Sequence, residues 1–227
     1  KMATSGTATF NLDLNQIVEE AFERCGSEMR TGYDLRTARR SLNLLMAEWA
    51  NRGINLWTID EGTVSLTEDT ITYNLPADTI DLLEQVIRTG TGTNQEDINI
   101  TRISASSYGV IPNKNSTGRP NQVWINRQVT QPTISVWPVP EDNTYTFVYW
   151  ALKRIEDAGT GVTNQDVPFR FLPCLVAGLA FYLSLKIPNA GDRTQFLKQE
   201  YEEQWVLAST EDRDKSDLRL VPKRQSI

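Results

Sequence analysis

The chain has 227 residues, 39% hydrophobic and 23% charged, with a net charge of −6. That is enough for one large domain or two small ones with a buried core, and the acidic balance argues against a protein held on nucleic acid by phosphate contacts, which needs a basic face. The absence of histidine removes the commonest general base and the commonest metal ligand together, and with them Ser-His-Asp and Cys-His sites.

The small, polar opening predicts no signal peptide, and residues 4–11 read as an extended arm. Leu14, Ile17, Val18, Ala21, Phe22 and Cys25 then recur at helical spacing. Asp13 suits the N-cap, Gly26 the stop, and Glu19, Glu20 and Glu23 take the solvent face. A second helix follows, capped by Asp34, with Leu35, Ala38, Leu42, Leu45 and Trp49 inward, Met46 at the edge and Gly53 at its end. Arg36, Arg39 and Arg40 lie towards its other side. They are either a solvated face, ion-paired with the acidic first helix, or a contact surface for an acidic partner or a neighbouring subunit.

From Thr58 the period shortens. Val64, Leu66, Ile71, Tyr73 and Leu75 alternate around Glu68-Asp69-Thr70, which predicts a β-hairpin. Residues 82–89 and 98–103 read as strands, 104–110 as a short helix capped by Ser104, and 112–120 as an exposed, mobile loop. Strands are predicted at 122–126, 133–137 and 144–151. Trp124, Trp137, Tyr145, Phe147, Tyr149 and Trp150 crowd this region. Stacking platforms for nucleic acid also mix aromatics with strands, but residues 58–155 hold seven Lys/Arg against eleven Asp/Glu. A β core or a protein interface fits that balance better.

Residues 168–188, PFRFLPCLVAGLAFYLSLKIP, are the most apolar stretch. Pro168 suits a first helical turn and Pro188 a stop. Such a helix must be covered by others; Pro173, Gly178, Ser184 and the flanking charges argue against a membrane span. A fourth helix runs over 193–212, with Leu197, Tyr201, Gln204/Trp205 and Ala208 inward. Cys25 and Cys174 read as buried free thiols. Residues 214–227 carry four Lys/Arg against two Asp and form an extended tail. The predicted fold is α+β: a four-helix bundle (12–57 and 168–213) with an inserted antiparallel β-sandwich or barrel-like domain (58–155), a linker loop (156–167) and an extended C-terminal arm (214–227).

Nothing marks a reaction. The adjacent acids Asp60-Glu61, Glu68-Asp69, Glu141-Asp142 and Glu156-Asp157 point to opposite faces wherever they lie on a strand. The glycines at 159 and 161 lack the Gly-Lys-Ser/Thr ending of a phosphate loop, and no metal-ligand spacing is present. No catalytic residue, cofactor or metal site is predicted. The residues alone leave open a structural or binding module, of a virion or a cell surface, or a carboxylate-dependent hydrolase.

Several pieces, in their order and spacing, resemble one family: Ala21-Phe22-Glu23-Arg24-Cys25-Gly26, residues 36–43 (RTARRSLN), residues 49–57 (WANRGINLW), Gly118-Arg119-Pro120, Val136-Trp137-Pro138-Val139-Pro140 and Phe169-Arg170-Phe171-Leu172-Pro173. The chain resembles the head-to-tail adaptors (tail tubular protein A, or connectors) of short-tailed double-stranded DNA bacteriophages. The resemblance implies a non-enzymatic virion protein with a helical bundle and a β-rich domain, made in the host cytoplasm. It implies a homo-oligomeric ring of twelve beneath the portal protein, joined to the tail nozzle (tail tubular protein B), offering docking sites for tail fibres. Genomic DNA would pass through the channel without sequence-specific binding, and no membrane is involved. It further suggests that the C-terminal tail reaches the portal or a neighbouring subunit, with Arg219, Lys223 and Arg224 as charged anchors and Leu218, Leu220 and Val221 as apolar ones. Ring closure needs two different faces, which the arginines of the second helix and the acids of the fourth can supply.

Overall fold

The structure is a computed structural model and describes residues 5–53 and 56–213. In chain order its main elements are α1 (Leu14–Arg24), α2 (Gly32–Arg52), β1 (Ile59–Ser65), β2 (Thr72–Asn74), β3 (Thr79–Thr89), β4 (Glu96–Asn99), β5 (Thr101–Ile103), α3 (Ala105–Gly109), β6 (Gln122–Asn126), β7 (Thr133–Trp137), β8 (Thr146–Lys153), α4 (Leu172–Ser184) and α5 (Thr194–Glu211). Contacts divide the chain into two compact units, residues 1–45 with 158–227 and residues 46–157. The class is α+β, with two sheets.

In the helical unit, α1 starts where its sequence provides acceptors for the free N–H groups of a first turn. The Asp13 carboxylate accepts from the Gln16 N–H at 2.9 Å, and the Gln16 side chain accepts from the Asp13 N–H at 3.1 Å, a reciprocal box. The Leu14 and Asn15 N–H groups donate to the carbonyls of Thr163 and Gly161, each at 3.1 Å. The loop before α4 therefore seats on the start of α1. The chain leaves α1 through Gly26, at φ 74°.

Asp34 is not the cap of α2; the helix begins a little earlier, at Gly32. Asp34 lies in its first turn and accepts from the N–H groups of Thr31 (3.0 Å) and Arg30 (3.1 Å), while its own N–H donates to the Thr31 hydroxyl at 3.3 Å. The backbone N–H of Arg30 is the main cause that holds this carboxyl below its usual range.

The apolar stretch is shorter as an α-helix than its hydropathy suggests. Phe169–Phe171 form a 3-10 turn, and α4 begins at Leu172. Pro173 falls in the first turn, where a missing N–H costs no helical bond. Leu172, Cys174 to Ala180, Leu183 and Ser184 are all buried. α1 and α5 lie along α4. α2 approaches α4 at Gly178, where an added Cβ would lie 2.8 Å from a Leu45 methyl and 2.9 Å from the Tyr201 ring. The predicted four-helix bundle is not shown: α1 and α5 lie along α4, and α2 reaches it at Leu45.

The β unit has one sheet in the order β1-β8-β3-β4 and another in the order β2-β7-β6-β5. One core holds residues of both, among them Leu82, Ile87, Phe147 and Tyr149 from the first and Val123, Ile125, Ile134 and Val136 from the second. The predicted hairpin is not formed. β1 pairs with β8 and β2 with β7, so residues 66–71 cross from one sheet to the other. Alternation identifies a half-buried strand but not its partner. The turn that looked like a hairpin is closed instead by the Tyr73 hydroxyl, which donates to the carbonyls of Thr67 and Thr70, with Asp69 at φ 58°.

Residues 98–103 likewise split, at buried Ile100, into β4 in one sheet and β5 in the other. The unit is not wholly antiparallel: β5 runs parallel to β6, because residues 104–121, including α3, form the crossover that a parallel pair requires. Opposite Tyr149, β1 carries Gly62, where a Cβ would fall 2.4 Å from the tyrosine ring.

Candidate interaction surfaces

Four acids of the adjacent pairs have structural partners. The Asp60 carboxylate accepts from Lys153 Nζ at 2.7 Å, which holds its carboxyl below the usual range. Asp142 accepts from the Thr144 hydroxyl and N–H at 2.6 and 2.8 Å, with the same effect. Glu141 accepts from the Tyr145 hydroxyl at 3.0 Å, and Asp157 lies 3.7 Å from Arg154. Lowered carboxyls are the reverse of what a general acid needs. Among the described residues no group of three or more His, Cys, Asp or Glu could hold a metal ion.

The three arginines of α2 part company. Arg39 Nε donates to the Ala158 carbonyl at 2.8 Å, and the Asn43 side chain accepts from the Ala158 N–H at 2.7 Å. Together they clamp a buried backbone segment, so Arg39 has a structural task. Arg36 and Arg40 are exposed. The acids of α1 do not turn to them: Glu20 pairs with Arg24, which also reaches Glu200 of α5 at 2.8 Å. Arg40 still exerts a field, adding to burial in lowering the Lys186 ammonium, whose Nζ donates to Ser41 Oγ at 2.7 Å. The other predicted contact residues, Leu218, Arg219, Leu220, Val221, Lys223 and Arg224, lie outside the described residues.

In the β unit, two pieces of the sequence resemblance meet. The Gly118 N–H donates to the Val139 carbonyl at 2.8 Å, and the Val139 N–H donates to the Ser116 carbonyl at 2.9 Å. Gly118 sits at φ 155° against the Pro138 ring. Trp137 Nε1 donates to the Asn113 carbonyl at 3.0 Å. Lys114 Nζ donates to the carbonyls of Gly109 and Ile111 and lies 5.6 Å from the centre of the Tyr108 ring, which stacks on Trp124 at 5.2 Å. The loop 112–120 alternates exposed and half-buried residues up to buried Pro120, and it is tied at several points. Residues far apart in sequence therefore build one surface feature.

The SU10 adaptor protein family model matches residues 13–223, nearly the whole chain and both units. The chain belongs to that family. No curated protein matches it. This agrees with the resemblance to phage head-to-tail adaptors, which are structural virion proteins. No described helix of this adaptor is long and apolar enough to cross a membrane.

An adaptor works through surfaces, and two of them escaped the sequence reading. One is an open groove of about 610 Å³ in the helical unit, lined by Phe10, Leu12, Phe169, Leu172, Pro173 and Val176, with Glu19, Glu20 and Glu23 at its edge. Phe169 counted as core in the apolar run, yet the 3-10 turn leaves it exposed. The other is the outer face of α5, where Phe196, Val206 and Leu207 stand in solvent. Helical spacing alone could have found this face, but the inner stripe of Leu197, Tyr201 and Ala208 accounted for the helix and left these residues unassigned.

Proposed function

We propose that this chain is the head-to-tail adaptor, of the tail tubular protein A kind, in a short-tailed phage. It assembles as a ring of twelve under the portal, joins the portal to the nozzle, closes the channel after packaging and lines the path by which DNA leaves. The observation that carries this reading is a family match spanning residues 13–223, which takes in both units rather than one module. The charge suits the task. A channel wall should not grip a sliding polyanion, since each neutralised phosphate strengthens binding, and the chain is net acidic at −6. On this reading α1, α2, α4 and α5 act as a four-helix bundle that keeps each subunit rigid, and the tied loops 112–120 and 136–140 offer shaped surfaces to the nozzle or fibres. The basic, apolar residues Leu218–Val221, Lys223 and Arg224 engage the portal or a neighbouring copy.

The test is electron microscopy, with mass measurement, of the purified chain mixed with purified portal from the same phage. A twelve-fold ring on one end of the portal is expected. A chain that stays monomeric and ignores the portal would overturn the reading.

A further inference from the structure

Resting on the reading that copies form a ring, we propose that neighbouring subunits join through two helix faces: the outer stripe Tyr33, Arg36, Arg40 and Leu44 of α2 packs against the outer stripe Phe196, Gln199, Glu203 and Leu207 of α5 in a second copy of this chain.

Both stripes follow the spacing i, i+3, i+7, i+11, which keeps four side chains on one side of a helix over about 16 Å. Each carries an aromatic at one end, polar groups in the middle and an aliphatic at the other. The apolar ends are in solvent: Tyr33 is 66% exposed, Leu44 54%, Phe196 69% and Leu207 64%. Apolar residues standing alone on a surface are ordinary, but two stripes of matched length that each pair an aromatic with a leucine are not scattered singles.

The middles are complementary in charge. Arg36 and Arg40 are exposed, and no acid lies within ion-pair distance of either among the described residues. Glu203 is exposed and accepts from Gln199 at 2.8 Å, which leaves carboxylate capacity for an arginine. Laid antiparallel, the stripes bring Arg36 to Glu203, Arg40 to Gln199, Tyr33 to Leu207 and Leu44 to Phe196. Exposed ion pairs are worth only about 0.2–1 kcal/mol. The apolar ends therefore supply the attraction and the charges set register and partner. Both stripes lie on the helical unit and are different surfaces, so the contact is heterologous, the type that generates rings. Arg39 takes no part, since it is held by the Ala158 carbonyl.

The test uses two double variants of the full chain, R36E/R40E and Q199K/E203K. All four positions are exposed or on an exposed edge of their helices, so both variants should keep the wild-type circular dichroism and melting temperature. Each alone should lose ring formation on the portal by tenfold or more, because like charges then face each other. Mixed in equal amounts, they should recover rings of alternating subunits, since reversed α2 meets reversed α5. If either variant closes rings as wild type does, or the mixture fails to recover them, these faces are not the contact. Wild type runs in parallel; if it too fails to assemble on portal, the adaptor reading falls and this inference falls with it.

Discussion

Cys25 shows how much one buried group can report. It is 2% exposed at the end of α1, and its thiol donates to the Ala180 carbonyl of α4 at 3.2 Å. Burial pushes its pKa up from 9.0 to about 11, against the opposing pull of the Arg193 charge. The sign follows from which state ionises first. Well below pH 9 the thiol is neutral in both states and contributes nothing to pH dependence. Above it, the unfolded chain ionises while the folded chain does not, so stability falls until the folded thiol also titrates. The loss between pH 8 and 10.5 is about 2 kcal/mol. Tyr73, Tyr145 and Tyr149 are also shifted up by burial and add to the slope, so the measurement is a difference. Urea unfolding of wild type and Cys25→Ala at the two pH values should show a flatter response in the variant by that amount; equal slopes would mean that the thiol is not buried against α4. The sequence placed Cys25 on the apolar stripe, which was enough to expect a buried thiol. It could not show Ala180 or Arg193, which arrive from elements far along the chain.

At the scale of the element, Gly178 is a tightly enclosed position of α4. In an exposed helix Gly→Ala gains about 1 kcal/mol. Here the new methyl would meet Leu45 at 2.8 Å and Tyr201 at 2.9 Å, both fully buried. Neither can swing into solvent, so overpacking outweighs propensity. Gly178→Ala should destabilise the chain by about 1–3 kcal/mol, read by denaturant midpoint. Adding Leu45→Ala should cost less in that background than in wild type. A neutral or stabilising Gly178→Ala would show that α2 and α5 can move off α4. In sequence this glycine merely diluted an apolar run. Its meaning came from two helices approaching it, which no local pattern encodes. The helices themselves were legible because caps and stripes are local: Asp13, Gly26, Ser104 and Leu14–Cys25 were read directly, while the answering Gln16 was not. Strands were legible as strands and not as pairs. The segment 59–75 has the alternation and turn of a hairpin, yet β1 and β2 bond to different sheets, because a period of two specifies which face is buried and not which neighbour supplies the ladder. The parallel β5–β6 pair was missed for the same reason.

For the whole molecule, the family was legible in short pieces whose order and spacing agreed, and the structure gives a physical reason for two of them: Gly118–Pro120 and Val136–Pro140 form one hydrogen-bonded feature. Surfaces were harder to read than the core, because a sequence marks what a helix buries more clearly than what it leaves for a partner. Arg36 and Arg40 stayed open while Arg39 was taken by a backbone carbonyl, a division that three arginines within five residues cannot announce. The C-terminal segment poses the same question for assembly. In the last turn of α5 the Asp212 N–H donates to the Ala208 carbonyl, and Arg170 donates to the Glu211 carbonyl at 3.3 Å. Buried Leu197, Tyr201 and Ala208 all precede it. A chain truncated after Asp214 should therefore keep the wild-type melting temperature to within about 2 °C, which is about 0.5–1 kcal/mol for a chain of this size. It should lose portal affinity by at least about tenfold, equivalent to about 1.4 kcal/mol, if Leu218, Arg219, Leu220, Val221, Lys223 and Arg224 are anchors. The two readouts separate the roles. A large drop in melting temperature would make the segment part of the fold, and unchanged binding to portal by a stable truncated chain would remove it from the interface.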